Sequence, residues 1–73
     1  MRVVPMDNRG LSPPEPLLRI LGVCEALEPG DRIEAQMDRR PIFLFPELED
    51  RELLYDCVER PDGSFFLTIE RPS

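Results

Sequence analysis

The polar and apolar positions alternate most regularly from Arg32 to Met37, where Ile33, Ala35 and Met37 share one side of the chain. A period of two residues predicts a β-strand with one buried and one solvated face. Upstream, apolar residues recur at helical spacing and predict an amphipathic helix that ends within Glu28–Asp31. The apolar face of this helix is predicted to contain Leu17, Ile20, Leu21, Cys24 and Leu27.

A short apolar run at Arg2 to Met6 predicts a strand before this helix. Pro5 has no N–H to donate to a ladder, so the strand is expected at a sheet edge. The proline-rich stretch from Asp7 to Pro16 then predicts a strand-to-helix corner. The helix is expected to start within Pro14 to Pro16, because proline is tolerated in a first helical turn.

A second strand-to-helix corner is predicted at Asp38 to Pro41, followed by a short helix from Ile42 to Arg51. Pro46 lies inside this segment, so the regular helix is expected to start only there, after an irregular turn. The apolar residues of this helix are Leu44, Phe45 and Leu48.

Two alternating segments, Leu53 to Glu59 and Ser64 to Arg71, predict a β-hairpin around the turn Arg60 to Gly63. Its predicted inner face carries Leu53, Tyr55, Cys57, Phe65, Leu67 and Ile69. Its predicted outer face carries Leu54, Asp56, Val58, Phe66, Thr68 and Glu70.

The predicted order of elements is therefore strand, helix, strand, helix, strand, strand. A helix between the first two strands indicates a right-handed crossover and parallel pairing. With 73 residues the chain is expected to form one domain, residues 1–73.

Composition narrows the classes of function. The net charge of −6 argues against nucleic acid and against an anionic membrane surface as partners. No apolar run approaches a membrane span and no signal-peptide segment opens the chain, so a cytoplasmic location is expected. The chain has no His and no Lys, and its two cysteines form no CxxC pair. We therefore expect no metal site, no cofactor and no enzymatic activity.

The first corner, Asp7-x-Arg9-Gly10-Leu11-x-Pro13-Pro14-x-Pro16, resembles a family of bacterial domains allied to the TusA/SirA sulfur carriers. The Asp38-Arg39-x-Pro41 corner and Pro46-Glu47-Leu48 are also similar. The resemblance implies a two-layer α/β (α+β) sandwich with two helices on one face of a four-stranded mixed sheet. In sulfur carriers the residue before the Pro-x-Pro is a reactive cysteine. The equivalent position here is Pro13, so sulfur-carrier activity does not carry over.

The first corner and its neighbour form the candidate binding site. Both parallel strands are expected to bring helix N-termini to one sheet edge, where anions are favoured. Arg9, Arg39 and Arg40 are then expected to cluster near these helix starts. The candidate binding residues are Asp7, Arg9, Pro13, Glu15, Arg39 and Arg40. The ligand would be a small anion or the acidic tail of another protein. The alternative is that Asp7 and Arg9 only brace the corner while the other two arginines are solvated.

Two further features are candidates for function. Leu54, Val58 and Phe66 make the outer sheet face partly apolar, which suggests a contact surface for another protein or for a weak homodimer. Cys24 and Cys57 fall on predicted core faces, where a free cysteine behaves as a small apolar residue.

The leading hypothesis is a non-enzymatic binding or adaptor domain that acts through the arginine-lined corner or the open sheet face. Relatives of this kind occur beside hemerythrin-like domains, which implies a redox or respiratory context. The alternative is a sulfur-handling or thiol-redox protein that uses Cys24 or Cys57.

Overall fold

A computed structural model describes residues 1–73 and contains four strands and two helices. In chain order they are β1 (Val3–Asp7), α1 (Glu15–Cys24), β2 (Arg32–Met37), α2 (Phe45–Asp50), β3 (Leu54–Glu59) and β4 (Phe65–Glu70). The strands form one mixed sheet in the order β1-β2-β4-β3. β1 and β2 are parallel, and the other two pairs are antiparallel. The predicted element order is confirmed, and Pro5 lies in an edge strand as expected.

The core lies between one face of the sheet and both helices. Ile33 and Leu67 from the sheet, Ile20 from α1 and Leu48 from α2 are each 0% exposed and belong to one cluster. The opposite sheet face has no helix and carries the polar side chains of β2. This arrangement confirms the two-layer sandwich, and the inward side predicted for β2, β3 and β4 is correct.

Helix α1 is shorter than predicted. It starts at Glu15 as expected but ends at Cys24. Beyond it, the N–H of Ala26 donates to the carbonyl of Val23 at 2.9 Å, which is a tight turn rather than a further turn of α-helix. Leu27 is nevertheless 5% exposed, so the last residue of the predicted apolar face is buried outside the helix.

Helix α2 is also shorter than the predicted segment from Ile42 to Arg51. An irregular turn comes first, in which the N–H of Leu44 donates to the carbonyl of Pro41 at 2.9 Å. The regular helix then starts at Phe45, because Pro46 is compatible only with a first turn. No helix in the chain has the length and apolar character needed to cross a membrane.

The end of α2 is closed by two backbone hydrogen bonds. The N–H of Leu53 donates to the backbone carbonyl of Leu48, and the N–H of Glu52 donates to the backbone carbonyl of Glu49, both at 3.0 Å. This is the bonding pattern of a Schellman cap, which requires a left-handed residue after the helix. Glu52 occupies that position with φ of 58°. The cap turns the chain from α2 directly into β3.

Candidate functional site

The two strand-to-helix corners lie side by side at one end of the sheet. Because β1 and β2 are parallel neighbours, both chains leave the sheet at the same edge. The backbone N–H of Asn8 donates to the carbonyl of Gln36 at 2.9 Å and extends the ladder by one residue. Beyond it, the N–H of Gly10 donates to Asp38 Oδ2 at 2.6 Å. The corners are therefore held together by hydrogen bonds.

A groove of about 730 Å³ opens between these corners, and we call it the corner groove. One wall comes from the segment that leads into α1 and the other from the turn before α2. Its lining is mainly apolar and comprises Asn8, Leu11, Pro13, Pro14, Pro16, Leu17, Met37, Asp38, Arg39, Arg40, Pro41, Ile42, Phe43 and Leu44. Ile42 and Phe43 are 57% and 81% exposed, so the second wall offers apolar surface to a ligand.

The first turn of α1 has few free N–H groups to offer an anion. Pro14 and Pro16 have none, and the N–H of Glu15 already donates to the carbonyl of Ser12 at 2.9 Å. Only the N–H of Leu17 lacks a protein acceptor in this turn. A helix N-terminus binds anions through such groups. The anion preference expected here must therefore come from side chains.

Asp7 and Arg9 form a bidentate ion pair on the surface. Arg9 Nε and Nη2 donate to Asp7 Oδ1 and Oδ2, both at 2.9 Å. These side-chain hydrogen bonds are the main cause that lowers the pKa of Asp7 to about 2, and the hydrogen bond from the backbone N–H of Arg9 is the next largest. The carboxylate in turn raises the pKa of Arg9. Neither residue lines the corner groove, so this ion pair lies outside the groove.

Arg39 and Arg40 both line the corner groove, as the sequence suggested. They are exposed, and neither guanidinium forms an ion pair with a carboxylate of the chain. The Arg40 guanidinium lies over the ring of Phe65, 5.1 Å from its centroid. Glu15 is exposed at the start of α1 and lies outside the groove lining. Two of the three predicted arginines therefore line the groove, and the third, Arg9, is paired with Asp7 outside the lining.

Asn8 is a site residue that the sequence reading did not single out. It lines the corner groove yet is 1% exposed. Its Nδ2 lies 3.6 Å from Met37 Sδ, a weak acceptor, and its Oδ1 has no hydrogen-bond partner. A polar residue immediately after an edge strand is common in turns, so the sequence carried no signal for burial.

The two cysteines are free thiols on the inner side of the fold. Cys24 is 1% exposed, and burial raises the pKa of its thiol. Cys57 is half-buried, and burial raises the pKa of its thiol too, against a smaller opposing effect of Arg40. Reactive thiols need a lowered pKa, so both environments favour the unreactive protonated form.

The apolar side chains expected on the open sheet face are separated from one another. Leu54 and Val58 are 58% and 52% exposed, but Asp56 lies between them on β3. Val58 pairs with Phe66 across the strands. Phe66 is half-buried, and the Arg60 guanidinium covers its ring at 4.7 Å from the centroid. This face is a mixed surface with a small apolar pair at one end.

No group of three or more His, Cys, Asp or Glu side chains is positioned to hold a metal ion.

Comparison with known proteins supports the fold and gives no activity. A family model described as an uncharacterized conserved protein, DUF2249, matches residues 5–71. The crystal structure of a SirA-like protein from Desulfitobacterium hafniense is similar over 100% of both chains, with a TM-score of 0.76 and 19% identity. At that identity the likeness concerns the fold alone, and it confirms the expected TusA/SirA-like architecture. No curated protein matches the chain.

Proposed function

The chain belongs to the DUF2249 family, and we propose that it is a non-enzymatic binding domain whose corner groove takes an apolar group carrying a negative charge. One observation carries this proposal. Arg39 and Arg40 line an apolar groove without a carboxylate partner, in a chain with 15 acidic and 9 basic residues. Arginines left unpaired among so many acids are available to an outside anion.

The size and lining of the corner groove fit this role. Ligand sites are concave, mostly apolar and typically about 300–1,000 Å³, with a few polar groups that orient the ligand. The groove has about 730 Å³, and two arginines, Arg39 and Arg40, are among its lining residues. Arginine binds carboxylate and phosphate groups through paired N–H donors, which gives direction as well as attraction.

The proposal is tested with a matched pair of small probes, naphthoate and its neutral analogue naphthamide, followed by NMR of the backbone amides. Naphthoate is expected to shift the signals of residues 8–17 and 37–44. The double variant Arg39→Ala, Arg40→Ala should weaken naphthoate binding about tenfold, because charge-assisted hydrogen bonds are lost. Its affinity for naphthamide should stay nearly constant.

The control is the double variant Arg19→Ala, Arg60→Ala, which makes the same change in net charge outside the groove lining. Arg60 also lies over a phenylalanine ring, as Arg40 does, so each double variant loses one contact between an arginine and an aromatic ring. The control should bind naphthoate as the unmodified chain does. Equal weakening in both variants, or shifts centred on Phe66, would show that the anion site is not in the groove.

A further inference from the structure

The corner groove contains a polar group whose hydrogen-bonding capacity is unused. Asn8 Oδ1 is buried and accepts no hydrogen bond, and its amide nitrogen has only the weak contact with Met37 Sδ. Buried polar atoms are nearly always paired in folded proteins, so each exception needs an explanation. The torsion at the end of an asparagine side chain is broad, so this amide can turn without leaving its rotamer.

The same groove is lined by Asn8 and by the two arginines that have no carboxylate partner. Asn8 follows β1, and its backbone is hydrogen-bonded to Gln36 in β2. Met37, whose sulfur contacts the Asn8 side chain, precedes Arg39 by two positions. The groove therefore offers an acceptor, apolar walls and guanidinium donors within one small region.

We propose that the corner groove binds the C-terminal end of a polypeptide whose last residue has a large apolar side chain; this inference rests on the proposed function. The N–H of that last residue donates to Asn8 Oδ1. Its side chain packs against Phe43 and against the wall that Pro13, Pro14 and Pro16 form. Its terminal carboxylate accepts hydrogen bonds from Arg39 and Arg40.

A C-terminal residue is the ligand that matches all three features together. It places an amide N–H, an apolar side chain and a carboxylate around one α-carbon. An acidic residue within a chain places its carboxylate on its own flexible side chain, so the carboxylate and an apolar side chain never share one α-carbon. The first turn of α1 supplies almost no N–H donors, so the carboxylate is directed to the arginines rather than to the helix.

The test measures binding of three compounds by NMR titration: N-acetylphenylalanine, its C-terminal amide, and phenylpropanoate, which lacks the N–H. N-acetylphenylalanine should bind about tenfold more tightly than its amide, because the neutral amide cannot form an ion pair with the arginines. N-acetylphenylalanine should also bind about fivefold more tightly than phenylpropanoate, because only N-acetylphenylalanine has an N–H that donates to Asn8. If either comparison shows equal affinity, the assignment of a C-terminus is wrong.

Variants of the protein locate each contact. In Asn8→Leu, which keeps the branching of the side chain but has no hydrogen-bonding atom, the preference over phenylpropanoate should disappear and the preference over the amide should remain. In the double variant Arg39→Ala, Arg40→Ala, the preference over the amide should disappear and the preference over phenylpropanoate should remain. The ligand comparison on the unmodified chain decides the matter even if Asn8→Leu fails to fold.

A short peptide, acetyl-Gly-Ser-Gly-Phe, distinguishes a polypeptide end from a free acylated amino acid. It should bind at least as tightly as N-acetylphenylalanine. Failure of the peptide, with retained binding of the single residue, would assign the groove to a small acylated amino acid and overturn the polypeptide assignment. Failure of all these probes, with groove binding of naphthoate intact, would overturn this inference and leave the proposed function standing.

Discussion

The carboxylate of Asp38 accepts a hydrogen bond from the backbone N–H of Gly10 at 2.6 Å, and this contact joins the two corners of the fold. Asp38 follows β2 directly, and Gly10 lies three residues beyond β1. Gly10 has φ of +82°, a left-handed conformation that glycine adopts without strain. The width of the corner groove therefore depends on a glycine turn held by one carboxylate.

Replacing Asp38 should loosen the groove more than the fold. In Asp38→Ala the amide of Gly10 loses its acceptor, and its hydrogen exchange should become about fivefold faster. Binding of the neutral naphthamide should weaken, because the walls are no longer held at one separation. The neutral probe is used because Asp38 itself lines the groove and its loss removes a negative charge there. The core is untouched, so the melting temperature should change little.

Asp50→Ala is the control for the loss of one exposed carboxylate, since Asp50 lies on the far end of α2. It should leave both the exchange of Gly10 and the binding of naphthamide unchanged. Exchange at Gly10 that is equally slow in Asp38→Ala would mean that the turn holds itself.

The ion pair between Asp7 and Arg9 predicts a low titration midpoint. The pKa of Asp7 is lowered from 3.8 to about 2, mainly by the side-chain hydrogen bonds from Arg9. A folded-state pKa below the unfolded one means that the pair contributes stability above about pH 3.8, and that this contribution is lost as the pH falls through about 2.

Carboxyl NMR of Asp7 measures this midpoint directly. In Arg9→Ala the midpoint should rise towards 3.8. Arg19→Ala should shift it much less, because the charge of Arg19 is the smallest of the causes that lower it. A midpoint that stays near 2 without the Arg9 side chain would assign the shift to the backbone instead.

The sequence predicted the parts of the fold that depend on local pattern. Alternation fixed which side of β2 faces the core, and Pro5 was correctly assigned to an edge strand. The helix ends were less accurate: Leu27 was expected within α1 because it is apolar at the right spacing, yet it is buried from a turn. Spacing reports which residues are buried and does not report where the backbone stops being helical.

The candidate site was harder to predict because it depends on contacts between distant segments. The sequence placed Arg39 and Arg40 correctly at the corner, but pattern alone cannot show that Arg9 is already paired with Asp7. Burial of Asn8 follows from the packing of two corners about 30 positions apart, which no local rule describes.

Glu52 predicts a stabilising substitution at the end of α2. Its φ of 58° is costly for a residue with a side chain, by roughly 1–2 kcal/mol. Glu52→Gly should therefore raise the free energy of unfolding by about 1 kcal/mol in a denaturant titration. Asp50→Gly, two residues earlier within the helix, should instead lower it slightly, by about 0.3 kcal/mol. Similar losses in both variants would mean that the cap does not require the left-handed residue.

A cysteine introduced in place of Pro13 tests whether this corner lowers the pKa of a thiol. Pro13→Cys restores a thiol at the position where the carriers have one, but Pro14 and Pro16 leave the following turn poor in N–H donors. The carboxylate of Glu15 is also close in sequence. The pKa of the new thiol should therefore stay near the ordinary value of about 8.5.

The pH dependence of alkylation measures this pKa. Cys24 and Cys57 should react slowly in the same sample, since burial raises the pKa of both thiols. Adding Pro16→Ala supplies an N–H to the first turn and should lower the pKa of the introduced thiol by about half a unit. A pKa far below 8 in Pro13→Cys alone would show that the axial dipole of α1 activates a thiol even without free donors.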